Sequence, residues 1–202
     1  MAIDFESLLK TDFRWPTLGD SALIASPDSA SSVAVAQYPF QRMVFMTDGY
    51  KEAADILVAK AMEDRPRSYL LLYPILFCYR HFLELSLKYV ITTYGRRAGV
   101  RPNFKDHDLD LLWPTFRQVV AYYGEGDRAA LTAVEAVVAE FAKIDPRSFT
   151  FRYPTSREGD AIVINQDSVD LAQLRETMDG VAHYFNGMDG YLQNLSGAVP
   201  EP

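Results

Sequence analysis

The chain has 202 residues, 49% of them hydrophobic, a formal net charge of −7, three histidines and one cysteine, Cys78. At roughly 150 residues per domain this is one domain with ample apolar side chains for a core, and the acidic balance excludes indiscriminate attraction to phosphate backbones or anionic lipid, so a nucleic acid would need a local basic site. One cysteine excludes an intrachain disulfide and a cysteine-built zinc cage, and the acidic start Met1–Glu6 has no basic flank or apolar core of a secretory signal, so a cytoplasmic protein is expected.

Residues 1–46 scatter aromatics (Phe5, Phe13, Trp15, Tyr38, Phe40, Phe45) around a Ser/Ala/Pro-rich stretch, Ser21–Ser32. They read as an irregular arm with one short helix near Phe5–Leu9, packed on the main body because disordered tails are poor in large aromatics. Residues 47–197 read as the helical body. From Thr47 or Asp48, apolar residues recur at helical spacing up to Arg65-Pro66, which predicts a first helix. Ser68–Thr93 predicts a second, apolar nearly all round and therefore central, with Pro74 in an early turn or at a kink and Gly95 as its end. The apolar run Tyr69–Tyr79 is too short to span a bilayer and reads as core.

A third helix is expected from Asp106–Asp108 to Gly124, bent or divided at Pro114, and a fourth from Asp127 through Arg128–Ile144 to Asp145-Pro146. Ser148–Tyr153 alternates at period two and Ala161–Asn165 is rich in β-branched residues, with turn residues Pro154–Asp160 between, which predicts a small β-hairpin. Asp167 or Ser168 caps a last, long helix with a Leu171, Leu174, Met178, Val181, Phe185 stripe. The expected fold is mainly α: an up-and-down bundle of about five helices with a hairpin before the last.

Within the apolar second helix, Arg80, His81, Glu84 and Lys88 fall in an arc of roughly 100° and form one polar stripe. Either they are i,i+4 ion pairs on a solvated face, or the stripe faces a cleft or a partner, since Phe77 and Ile91 bracket it and its neighbours want burial. His107 stands at the mouth of the third helix, where Asp106 or Asp108 would cap and the imidazole would satisfy loop backbone or act as acid or base. Arg152 shares a predicted strand face with Thr150 and is a candidate phosphate contact. His183 reads as an exposed helix residue. No Gly-rich phosphate loop, Gly-x-Ser-x-Gly elbow or His-Glu-x-x-His pair occurs. Glu84 and His81 match only half of a di-iron carboxylate motif, so no metal and no cofactor is expected.

The segment Tyr79-Arg80-His81-Phe82-Leu83-Glu84-Leu85-Ser86-Leu87-Lys88, followed by His107-Asp108-Leu109-Asp110-Leu111-Leu112-Trp113, resembles the HEPN superfamily, in which a His-Asp/Asn-Leu helix start follows a Leu-rich helix ending in Lys. The resemblance implies a helical bundle, a homodimer and, in many members, metal-independent RNA cleavage by an Arg-x4-6-His pair in the final helix. Here the final helix carries Arg175 and His183 with seven residues between, whereas Arg101 and His107 meet the spacing ahead of the third helix. The function expected is binding of RNA or a nucleotide, with ribonuclease activity in a defence or toxin setting, His81, Glu84 and His107 as catalytic candidates and Arg80, Lys88 and Arg152 as ligand contacts. The alternative is a noncatalytic dimerisation or regulatory module built around a buried polar network. No membrane partner is expected.

Overall fold

The structure, a computed structural model, describes residues 14–24 and 30–197; the short helix expected near Phe5–Leu9 lies outside them. The described residues divide into two units at the 35/36 boundary. In the first, Asp20 organises a turn by accepting hydrogen bonds from the Thr17 amide (2.8 Å) and Thr17 Oγ1 (3.1 Å) while pairing with Arg14.

The second unit is a bundle of five helices: α1 (Pro39–Glu63), α2 (Arg65–Tyr94), α3 (Leu109–Tyr123), α4 (Arg128–Ile144) and α5 (Leu171–Ser196). α1 starts eight residues before Thr47. Pro39 supplies the fixed φ that suits a first helical turn after the extended Tyr38, and Phe40 packs on the Tyr89 ring at 5.5 Å. Asp64 alone separates α1 from α2, and the two pack along each other as an αα-hairpin.

α2 is the central helix, packing against α1, α3 and α5. No residue from 75 to 94 is exposed, whereas Tyr69, Leu70 and Tyr73 in its first turns are. Pro74 falls in that exposed part, so the Leu70 carbonyl it cannot pair is left to water rather than to the core. α2 is also the one described helix long and apolar enough to cross a membrane, and its buried side chains are instead the spine of the bundle. Ile75, Leu83 and Leu87 of α2, Phe116 and Val119 of α3, Leu131 of α4 and Met178 and Leu192 of α5 meet there with almost no exposure.

Two helix starts use caps expected from sequence, Asp108 and Asp127, whereas the last is capped by Asp170 and not by Asp167 or Ser168. Asp108, Asp127 and Asp170 cap α3, α4 and α5 through their carboxylates, each accepting from the amide two residues on. α5 therefore begins four residues after Asp167. Pro114 does not divide α3: it costs one hydrogen bond, to the carbonyl of exposed Asp110, in a helix otherwise anchored by Trp113 and Phe116.

The expected β-hairpin does not form. Thr155 and Ala161 make one isolated antiparallel bridge around a Ser156–Asp160 turn. On the upstream side Asp145 Oδ1 accepts the Phe149 and Thr150 amides at 2.6 and 2.9 Å, and the Phe149 carbonyl accepts from the Arg152 and Tyr153 amides. The donors that a ladder needs are thus taken up locally, and Phe149-Thr150-Phe151 coils into turns in spite of its alternating pattern. Phe151 still buries, against Phe141 of α4.

Candidate functional site

The i,i+4 spacing of Arg80, Glu84 and Lys88 aligns them on one face of α2, and α3 packs back over that face after a single loop. The loop brings His107 to them and the end of α4 brings Asp145. Arg80 has no exposed surface. Its Nη1 pairs with Glu84 Oε2, its Nε donates to the Asp145 carbonyl at 3.1 Å, and its Nη2 donates to the carbonyls of His107 and Pro146, the latter at 2.9 Å. The Asp145 carboxylate stands 3.8 Å from the same guanidinium. Glu84 Oε1 accepts from Lys88 Nζ at 2.8 Å and lies 2.8 Å from His107 Nδ1. Lys88 Nζ also reaches the Phe104 carbonyl at 3.4 Å.

This arrangement is an intramolecular network in which Asp145 Oδ2 alone is buried without a hydrogen-bond partner among the side-chain atoms of Arg80, Glu84, Lys88 and Asp145. Two cations and two carboxylates are taken out of water together, with the exposed His107 imidazole at their edge, and each nitrogen of the guanidinium fork holds an oxygen. Arg80 clamps the loop before α3 and the loop after α4 onto α2, so these two loops take fixed positions although neither has regular structure. Burial alone would raise the Glu84 carboxyl, but hydrogen bonds from Lys88 and His107, with the Lys88 and Arg80 charges, hold it below the usual glutamate range. Glu84 is therefore an ionised acceptor. Against this acceptor His107 Nδ1 is the donor, which leaves Nε2 as the ring nitrogen not engaged by Glu84. A carboxylate behind an imidazole in this way fixes tautomer and orientation, the arrangement that general-base histidines use.

His81 is placed differently. Its ring stacks on Phe77 (centroids 5.6 Å apart, 9° between planes) and meets the edge of Tyr50 at 4.4 Å. Its Nδ1 is buried without a hydrogen-bond partner and lies 3.9 Å from Glu84 Oε2. Burial depresses its pKa; the Glu84 charge opposes this, and the Arg80 and Lys88 charges add to it. The imidazole is a neutral packing group in this setting.

Above the network lies an open groove of about 590 Å3 lined by His107, Asp145, Arg147, Thr150, Arg152 and Arg157 among others. A second cavity of about 330 Å3, lined by Tyr73, Phe151, Tyr153 and Ile164, shares Thr150, Arg152 and Ile162 with it. Arg152 is held where the two join: its Nε donates to the Ser148 carbonyl at 2.6 Å, and its guanidinium lies 5.8 Å from the Phe77 ring and 5.5 Å from that of Tyr153. Ser148 adopts a left-handed φ of 57°, which helps aim its carbonyl at Arg152.

Of the candidates named from sequence, Arg80, Glu84, Lys88 and His107 come together, with only His107 also reaching a cavity wall of the groove. Arg152 lies at that groove, His81 lines neither of its two cavities, and Arg101 lines a separate crevice of about 50 Å3 beside Lys88 and Phe104. Arg147 and Arg157 were missed. Their one sequence signal is the five-residue spacing of Arg147, Arg152 and Arg157, which has no helical or strand period. Among the described residues no group of three metal-ligating side chains converges. Comparison of the chain with protein-family models, curated proteins and solved structures finds no match.

Proposed function

We propose that the protein binds a ribonucleotide ligand, single-stranded RNA or a nucleotide, across the two joined cavities, with phosphate in the arginine groove and a base in the Tyr73/Tyr153 pocket. The observation that carries this reading is the position of Arg152 between three exposed basic side chains on one side and an aromatic-lined pocket on the other. Arginine forks match phosphate oxygens, and a base stacked on an aromatic ring gains about 1–3 kcal/mol. His107, oriented by Glu84, supplies a nitrogen base beside the phosphate, as cleavage through a ribose hydroxyl requires. The all-α bundle and the place of His107 just ahead of α3 are consistent with a HEPN-like protein, for which a cytoplasmic homodimer is part of the same proposal.

The test is fluorescence anisotropy and gel cleavage with short oligouridylates, alongside mononucleotides and the matching DNA. Wild type is expected to bind, Arg152→Ala and Tyr73→Ala each to lose about 1–3 kcal/mol of affinity, and His107→Ala to keep binding while losing any cleavage. Failure of the wild type to bind either RNA or nucleotide overturns the proposal.

The completeness of the Arg80 network favours a second reading of those residues, as the scaffold that shapes the groove rather than as its ligand contacts. Under it Arg80 and Lys88 act on binding only through the positions of the loops they hold.

A further inference from the structure

On the other side of α2, away from the His107 network, a cavity of about 150 Å3 opens between α1, α2 and α5. Two carboxylates line it, Asp48 of α1 and Asp189 of α5, together with the rings of Phe82, Tyr89 and Phe185; no lysine, arginine or histidine does. Among the described residues neither aspartate is in an ion pair. Asp189 Oδ1 instead accepts from Tyr94 Oη at 2.5 Å. Ser86 supplies an independent sign: the residue lines the cavity, is 3% exposed, and its buried hydroxyl has no hydrogen-bond partner. Buried hydroxyls are normally satisfied, so this one has unused capacity toward whatever enters.

The field in the cavity is negative. Burial first, then the Asp189 carboxylate and lastly Asp48, push the Tyr89 hydroxyl up to about 12. Two carboxylates without a cationic partner favour a cation, and ring faces add to that selection through their quadrupoles. Apolar walls from Val44, Val90, Phe82 and Phe185 favour an organic cation over a hydrated metal ion, which would keep its waters. The size is that of an apolar cavity known to admit a benzene-sized guest, about six non-hydrogen atoms.

We infer that this cavity is a binding site for a small aliphatic ammonium ion, with Asp48 and Asp189 as counter-charges, Ser86 as a hydrogen-bonding group and Phe82, Tyr89 and Phe185 as the walls. It is independent of the ribonucleotide groove, from which it shares no lining residue.

Titration calorimetry on the full chain at low ionic strength, with the diamine putrescine as probe, tests it. One molecule per chain is expected to bind saturably, and the neutral diol of the same length is expected not to. Asp48→Asn, at an exposed position, is expected to weaken binding by at least about tenfold, the size of one charge-assisted contact, with an unchanged melting temperature. Ser86→Ala is expected to weaken it less, in a protein that also remains folded. The inference is overturned if putrescine does not saturate, if the diol binds equally, if Asp48→Asn leaves the affinity unchanged, or if magnesium displaces the amine at comparable concentration, which would mark an acidic surface alone.

Discussion

Removing the Arg80 side chain would leave Glu84 and Asp145 facing each other across a closed interior with three backbone carbonyls released. Breaking a buried charge network from one side costs about 3–5 kcal/mol, so Arg80→Ala is expected to lower the melting temperature by roughly 10 °C for a chain of this size. Calorimetric melting checks it, and Arg80→Lys should recover little because an ammonium cannot reproduce the fork. His81 provides a pH signature. Its pKa is lowered in the folded state from an ordinary 6.5, so the unfolded chain binds the proton more readily and stability falls as pH drops below 6.5. The lowered pKa of Glu84 acts in the same direction but only below its ordinary 4.5. Acidification between those two values is thus expected to destabilise wild type more than His81→Phe, which keeps the stack on Phe77 and has nothing to protonate. Parallel pH profiles of the two melting temperatures would refute this.

At the scale of elements, α4 occupies Arg128–Ile144 as its sequence implies, because capping and apolar period there point the same way. The segment after it is not legible in sequence for a physical reason: Phe149-Thr150-Phe151 alternates like a strand, yet the fate of its amides is decided by Asp145, four residues upstream of Phe149. Periodicity reports side-chain faces and is silent on which acceptor reaches a backbone donor first. Likewise the spacing of Arg80, Glu84 and Lys88 made their common face legible, and the single loop to α3 made His107 a neighbour. That Arg147 and Arg157 join Arg152 was not legible, since it depends on those same turns. Asp145→Ala is expected to cost about 2–4 kcal/mol, the sum of two half-buried amides left without an acceptor, while Asp145→Asn, which keeps one carbonyl oxygen, should cost less. Urea denaturation measures both, and equal losses would show that the charge beside Arg80, not the amide acceptor, is what matters.

Taken as a whole molecule, the chain carries a net charge of −7, so any attraction to RNA must come from the groove against a repulsive background. Three arginines give at most about three phosphate contacts, and for a single strand the logarithm of affinity should then fall with the logarithm of salt at a slope of about −2. A flat salt dependence would contradict phosphate binding there. The network beneath the groove also constrains how this sequence can drift. Losing one of Arg80, Glu84 or Lys88 strands the charges of the others, whereas replacing them together with apolar residues of similar volume can be neutral or stabilising. Point by point the path is closed, and as a group it is open. Lineages descending from this chain should accordingly keep all three charges or discard them in concert, and a genome carrying two without the third should also carry a second change in contact with the gap.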